Sequence, residues 1–522
     1  MIVEAVCDEA DLKEGDIKQF TIGPGKVLLT KHQGTVSAVG AKCTHYGAPL
    51  INGAYSEGRV RCPWHNACFN TTTGDIEDFP GLDSLHKYEV SIKDGKVFVT
   101  ADEESLTTFR RVKPMSRCAH QRETYVLLGG GASSLMCAET LRQEGFEGRI
   151  VMATDEIHPP YDRPKLSKML KSEPEKLYLR SREHLQEKGI ELVQKRAESV
   201  DASGKVVTFG DGSTYSYDKL FVGTGGKPKQ LKVPGCDLEN ILYLRSPEDA
   251  NRIAALCTEE KNVVILGTGF IGMELAAFLV GKAASVSVIG SGRSKVPFES
   301  VLGPKLGGLF LKLHQDKGVK MYMEHHPLKE IVGVDGKVNG VILTDGTRIP
   351  CDVVISGIGV EPSTQFLQKH LDARGHLVVD EFMHAGDEIY GGGDIVSFPY
   401  WLEKGALINI GHWQIAQAHG RCAALAMVGK KTPFRSVPFF WSGQFGKALR
   451  YAGHCSSYDD IVYEVFDPEE VKCLAYYCKF GKVYAVAALN MGAKAAEMSF
   501  KLENGTCPLA HELRGMNYEQ SA

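Results

Sequence analysis

Between Ile2 and about Thr100, apolar and polar residues alternate in short runs cut by glycine turns, as in Lys26-Val27-Leu28-Leu29-Thr30, Thr35-Val36-Ser37-Ala38-Val39 and Lys96-Val97-Phe98-Val99-Thr100. A period of two over so few residues predicts half-buried strands, and so a small all-β module over residues 1–100. The polar, helix-poor stretch 101–122 is the expected linker. From Thr124 apolar strand-like runs alternate with helical segments, which predicts parallel βαβ architecture. Two glycine-rich strand-to-helix turns, near Gly129 and Gly267, mark two nucleotide-binding domains, the second inserted into the first. The first is expected over 123–246 and 347–430, with Val353-Val354-Ile355 and Gly393-Asp394 resuming it; the second is expected over 247–346. Alternation returns after Pro433, in Val471-Lys472-Cys473-Leu474-Ala475-Tyr476-Tyr477 and Val483-Tyr484-Ala485-Val486-Ala487, predicting a mixed α+β C-terminal domain over 431–522.

Composition supports several globular domains: 522 residues, 43% hydrophobic, 24% charged. A net charge of −4 provides no basic field, so nucleic acid is not an expected partner. The 14 cysteines are scattered, as in a reducing compartment. The acidic first eleven residues lack both an apolar signal core and the Arg/Ser richness of a transit peptide. No run approaches the roughly 18 apolar residues of a transmembrane helix. A cytoplasmic location is expected on these grounds.

Cys43-Thr44-His45 and Cys62-Pro63-Trp64-His65 place a cysteine and a histidine together twice. Two thiolates on one iron, Cys43 and Cys62, and two imidazoles on the other, His45 and His65, would make a Rieske [2Fe–2S] centre. A mononuclear zinc site has the same inventory, but zinc modules keep like ligands together, and here they alternate. Gly47-Ala48-Pro49-Leu50 after the first pair, and Phe69 and Gly74 after the second, follow the order of Rieske domains. Respiratory Rieske subunits add one cysteine per loop for a disulfide; those places hold Gly47-Ala48 and Trp64, so the module resembles a soluble ferredoxin-type Rieske domain.

Gly129-Gly130-Gly131-Ala132-Ser133-Ser134 follows the strand-like Tyr125-Val126-Leu127-Leu128 and opens a helix, a turn that lets backbone approach a pyrophosphate. Ser134 stands where the third glycine of the fingerprint is usual. Asp155 or Glu156 suits the adenosine ribose. Gly267-Thr268-Gly269-Phe270-Ile271-Gly272 is a full fingerprint, but the strand Val286-Ser287-Val288-Ile289 ends in Gly290, not in an acid. Arg293 and Lys295 nearby either admit the 2′-phosphate of NADPH or solvate a loop, so NAD(P)H is written for the second nucleotide.

Together with these turns, Pro160-Tyr161-Asp162-Arg163-Pro164-Lys165-Leu166-Ser167-Lys168, Gly223-Thr224-Gly225-Gly226-Lys227-Pro228, Gly357-Ile358-Gly359-Val360-Glu361-Pro362 and Gly392-Gly393-Asp394 resemble the FAD-dependent pyridine-nucleotide oxidoreductases, in particular the apoptosis-inducing factor and ferredoxin reductase group. With the Rieske-like module in front, the chain is similar to apoptosis-inducing factor 3-like proteins over roughly residues 1–510. The fold class expected is therefore multidomain α/β: an N-terminal all-β Rieske module, two Rossmann-like nucleotide-binding domains and the mixed C-terminal domain. The resemblance implies that Arg163 and Lys168 lie along the flavin, that Lys168 and Glu274 form an ion pair at its reactive edge, and that Asp394 holds the ribityl or pyrophosphate region. Gly225 and Gly359 belong to its shared glycine motifs. Trp413 and Trp441 would pack at the ring system, although large aromatics also serve ordinary cores; His412 reads equally as structural.

The redox cysteine pair of disulfide reductases is absent, since Cys137 stands alone on the helix after the first turn. The expected cofactors are FAD, NAD(P)H and the [2Fe–2S] cluster, and the expected activity is NAD(P)H-dependent electron transfer from flavin to the cluster and on to an unknown acceptor, a protein among the candidates. A homodimer and a mitochondrial association are compatible with the resemblance. The alternative function is redox-responsive pro-apoptotic signalling, in which nicotinamide binding rather than turnover matters.

Overall fold

A computed structural model describes residues 1–120 and 122–520, the side chains of 516–520 excepted. Gln121 of the expected linker and the last two residues of the expected C-terminal domain lie outside the described residues. The N-terminal module is a six-stranded antiparallel sheet in the order Ile2–Asp8, Lys96–Ala101, Lys87–Lys93, Thr35–Gly40, Gly25–His32, Ile17–Ile22. A second sheet of four three-residue strands, Ala54–Ser56, Arg59–Arg61, Cys68–Asn70 and Ile76–Asp78, carries part of the cysteine–histidine site. The polar stretch beyond opens with a short helix, Glu103–Thr107, because the Asp102 side chain caps the Ser105 amide. Arg111 then pairs with Ser84 through backbone hydrogen bonds of 3.0 and 2.8 Å, tying this stretch back to the module.

The first nucleotide fold has the sheet order Ile190–Gln194, Arg149–Thr154, Thr124–Leu128, Lys219–Val222, Ile389–Gly391, His384–Gly386, parallel except at the last pair. The second is a five-stranded parallel sheet, Ile241–Tyr243, Val353–Ser356, Asn262–Leu266, Ser285–Ile289, Lys320–Tyr322. The expectation that residues 353–355 resume the first domain is therefore corrected: Val353–Ser356 pairs with both Ile241–Tyr243 and Asn262–Leu266. The 123–246 and 347–430 segments each give a strand to the second sheet, and the chain re-enters the first sheet at Ile389–Gly391. The last domain is a five-stranded antiparallel sheet, Phe439–Gln444, Lys447–Gly453, Lys482–Leu489, Lys472–Lys479, Asp460–Asp467, with helices Lys494–Glu503 and Ala510–Gln520. No helix among the described residues is long and apolar enough to cross a membrane.

Candidate functional site: a cavity wall shared with a cysteine–histidine centre

The two cysteine–histidine loops are built alike. In each, the cysteine amide donates to the carbonyl five residues on, Cys43 to Ala48 at 2.9 Å and Cys62 to Ala67 at 2.8 Å. In each, the amide four residues on donates back to the cysteine carbonyl, from Gly47 and Asn66, which take positive φ of 77° and 69°. That turn brings the His45 and Tyr46 amides to the Cys43 sulfur, and those of Trp64 and His65 to the Cys62 sulfur. Cys43 and Cys62, each 1% exposed, hydrogen-bond to each other, and the Nδ1 atoms of His45 and His65 face one another at 3.1 Å. Burial holds both imidazoles neutral, His45 with its pKa down at about 3 and His65 well below the usual range. The donors stand as a sulfur pair and a nitrogen pair, which fits a binuclear cluster better than zinc.

The first glycine turn opens onto a cavity of about 1150 Å³. Gly129, with φ of +107°, is required because a Cβ there would lie 2.3 Å from the Gly223 carbonyl oxygen, whereas Gly131 faces open space, as a turn that admits a phosphate must. Ser134 lies behind the turn, fully buried, its Oγ without a partner. Gly129, Gly131, Asp155, Glu156, Arg163, Lys168, Gly225, Glu274, Asp394, Trp413 and Trp441 all line the cavity, so the structure gathers most of the expected flavin residues. Asp155 is exposed; Glu156 instead accepts from Arg163 at 3.1 and 3.2 Å. His412 also lines the cavity with an unpartnered Nδ1, and burial lowers its pKa to about 3. No cysteine lines the cavity. Its volume, the open glycine turn and the orphaned buried atoms fit a dinucleotide flavin.

Lys168 and Glu274 meet at 2.8 Å in this wall. Glu274 is 4% exposed and also accepts from Ser442 at 2.7 Å and from Ser167. The helix Phe270–Leu279 that carries Glu274 starts at the second glycine turn. There the third glycine is a steric necessity: a Cβ on Gly272 would sit 2.2 Å from the Gly267 oxygen, while Gly269 is open. Gly267, Gly269, Gly272, Gly359 and Arg293 lie outside the flavin cavity wall; Arg293 is exposed and has no hydrogen-bond or ion-pair partner among the described residues.

The two centres touch. Trp441, in the flavin cavity wall, lies 4.2 Å from His65 and 5.9 Å from His45, ring centroid to centroid. Charged and polar pairs hold this arrangement: Arg180 bridges Asp83 and Glu139 at 2.6 Å each, Arg61 and Arg59 reach Glu503 at 2.9 and 2.8 Å, and Gln414 reaches Asp78 at 2.7 Å. Sequence reading missed these residues, as well as Arg110, Arg450, Ser442 and Arg245, which lines the cavity and whose carbonyl accepts from Arg163 at 2.6 Å. Their partners lie tens to hundreds of positions away, and no local pattern marks them.

Comparison with known proteins agrees with this geometry. Residues 123–420 match the family Pyridine nucleotide-disulphide oxidoreductase, residues 3–89 the Rieske [2Fe-2S] domain, and residues 439–517 the reductase C-terminal family. The chain belongs to the pyridine nucleotide-disulphide oxidoreductase family, with FAD, NAD(P)H and a [2Fe–2S] cluster as its cofactors, and is an electron-transfer flavoprotein oxidoreductase. It is 43% identical over 512 residues, 96% of this chain and 84% of the relative, to human Apoptosis-inducing factor 3. It is 33% identical over 343 residues, 65% of this chain and 79% of the relative, to rhodocoxin reductase of Rhodococcus erythropolis. Among solved structures, putidaredoxin reductase in its covalent complex with putidaredoxin is 28% identical, with a TM-score of 0.69 over 74% of this chain and 94% of that one.

Proposed function

We propose that this oxidoreductase passes electrons from flavin to the Rieske centre within one chain, through the wall formed by Trp441 and His65, with Cys43, Cys62, His45 and His65 as the cluster ligands. The carrying observation is that one indole lines the flavin cavity and packs against a cluster histidine. FAD bound in this cavity would supply hydride acceptance from NAD(P)H and one-electron donation toward the iron–sulfur cluster. The chain's own residues bind and orient. Gly129, Gly131 and the following helix hold the flavin pyrophosphate, with Ser134 packed beneath the turn; Gly225, Asp394 and Trp413 close the cavity. Asp155 takes the adenosine ribose, and Arg163, fixed by Glu156, lies along the flavin. Gly267, Gly269 and Gly272 hold the nicotinamide nucleotide, beside Arg293 and Gly359. Glu274 lies two residues beyond Gly272 on the same helix, so nucleotide binding and the Lys168–Glu274 pair in the flavin wall share one rigid element.

The acceptor of the second transfer is proposed to be a protein, supported by the solved complex of putidaredoxin reductase with putidaredoxin. The test is an anaerobic single turnover with NADH and, separately, NADPH, reading flavin absorbance and the reduced Rieske signal by electron paramagnetic resonance. Transfer within one chain gives a cluster-reduction rate independent of protein concentration. A rate rising in proportion to concentration, or bleached flavin without a Rieske signal, overturns the reading.

A further inference from the structure

Each cysteine–histidine loop is gripped by an arginine from outside the Rieske sheets. Arg110, in the stretch after the helix Glu103–Thr107, donates from Nε to the Thr44 carbonyl at 2.8 Å and from Nη2 to the His45 carbonyl at 2.9 Å. Arg450, on the reductase strand Lys447–Gly453, donates from Nε to the Trp64 carbonyl at 3.0 Å. Arg59, Arg61, Arg111 and Arg180, which also hold the module in place, are each paired with carboxylates, while Arg421 grips the Ile76 and Glu77 carbonyls, outside the two ligand loops. Arg110 and Arg450 have no carboxylate partner among the described residues, so two uncompensated positive charges stand at the two ligand loops.

We propose that Arg110 and Arg450 set the reduction potential of the Rieske centre, and that Arg450, supplied by the reductase, makes the docked centre the stronger electron acceptor. The inference rests on the ligand assignment above. Reduction adds one negative charge between the two loops. A fixed positive charge within hydrogen-bonding distance of each loop favours that state, the half-buried Arg450 more than the exposed Arg110, because Coulomb attraction in a partly buried site is screened less than in water. Hydrogen bonding and net charge around such clusters are established levers on potential. Coupling is reciprocal: if docking against Arg450 favours the reduced centre, reduction must favour docking by the same factor. Electron arrival thus tightens the contact through which the electron came.

Redox titration of the full-length holoprotein, with the Rieske signal read by electron paramagnetic resonance against applied potential, tests this directly. Arg450→Gln is expected to weaken one-electron reduction about tenfold, a fall of about 59 mV, and the exposed Arg110→Gln to weaken it by less. Arg450→Lys and Arg110→Lys keep the charge and hold the wild-type midpoint. Unchanged midpoints in the Gln variants overturn the proposal, as do Lys variants that fall as far as Gln. If a Gln variant loses its Rieske signal, a Lys variant with wild-type signal and midpoint supports the charge role, and one that also loses the signal overturns it. Absence of any Rieske signal in the unmodified protein defeats the ligand assignment instead.

Discussion

Arg180 is the sharpest test of how the two modules stay together. Its guanidinium reaches Asp83 of the Rieske module at 2.6 and 3.3 Å and Glu139 of the flavin fold at 2.6 and 3.3 Å. The three side chains are only 9, 4 and 0% exposed. Burial alone would raise the Glu139 pKa, but hydrogen bonding to His184 and the charge of Arg180 outweigh it and leave the carboxyl below its usual range. Arg180→Met strips the cation from between two buried carboxylates. Breaking a buried pair costs about 3–5 kcal/mol, chiefly through the charge left uncompensated. Glu139 sits within the flavin fold docked or not, whereas Asp83 regains water when the module lifts away, so about one such penalty falls on docking. At 1.4 kcal/mol per tenfold, docking weakens roughly 100- to 4000-fold.

Anaerobic stopped flow separates the consequences. Flavin reduction by NAD(P)H and electron delivery to ferricyanide are expected to stay near wild type, while flavin-to-cluster transfer slows and becomes concentration-dependent. Proteolysis within residues 108–120 is expected to accelerate, because the stretch is tethered to the module at Ser84 and to the flavin fold at Arg142, and undocking lets those ends move apart. Asp83→Asn in the Arg180→Met background recovers most of the docking, since removing both members of a buried pair costs far less than removing one. Intramolecular cluster reduction at the wild-type rate in Arg180→Met would refute the reasoning, as would fully additive penalties in the double variant.

Trp441→Leu keeps apolar bulk but removes the indole between flavin and His65; flavin-to-cluster transfer is expected to slow at least about tenfold, some 1.4 kcal/mol, with flavin reduction unchanged in the same stopped-flow trace. Gly269→Ala places a methyl group in open space at the second turn and should raise the NAD(P)H dissociation constant without lowering the melting temperature. Gly272→Ala drives a Cβ against the Gly267 oxygen and should cost about 1–3 kcal/mol of stability as well. Lys168→Met leaves Glu274 without its cation, so hydride transfer to flavin and stability both fall, and Lys168→Arg restores stability in a thermal melt. Burial raises the Glu503 pKa, but Arg61 and Arg59 outweigh it and depress it overall. The Arg61–Glu503 contribution is therefore complete above the unfolded value of about 4.3 and lost as pH falls through the lower folded value. Docking read by cluster-reduction rate should hold from pH 7 to 5 and weaken only below about 4, and Glu503→Gln should abolish that acid limb.

Local chemistry made the two cysteine–histidine loops and the glycine turns legible as motifs. Cys43, His45, Cys62 and His65 lie within two short segments, and Gly129 and Gly267 are dictated by backbone approach to Gly223 and Gly357, a constraint that leaves a glycine wherever it acts. Val353–Ser356 was misplaced because a four-residue buried parallel strand is an apolar run without register information. Either nucleotide sheet could have taken it, and only its pairing with Asn262–Leu266 decides.

The docking contacts were illegible for a different reason, and that reason bears on mechanism. Arg61 and Glu503 stand 442 positions apart and Gln414 and Asp78 stand 336 apart, each an ordinary polar residue in its own neighbourhood. What singles them out is burial in company: Arg61 is 2% exposed and Asp83 4%. A module that swung freely would have to rehydrate and repair these pairs on every cycle, crossing the cost of exposed half-pairs each time. Trp441, Cys43, His45, Cys62 and His65 are thus held in one geometry by charges that hydrophobic patterning does not encode. On the route proposed above, electrons would enter the centre through His65, and on the same two loops Lys42, Pro49 and Trp64 are exposed.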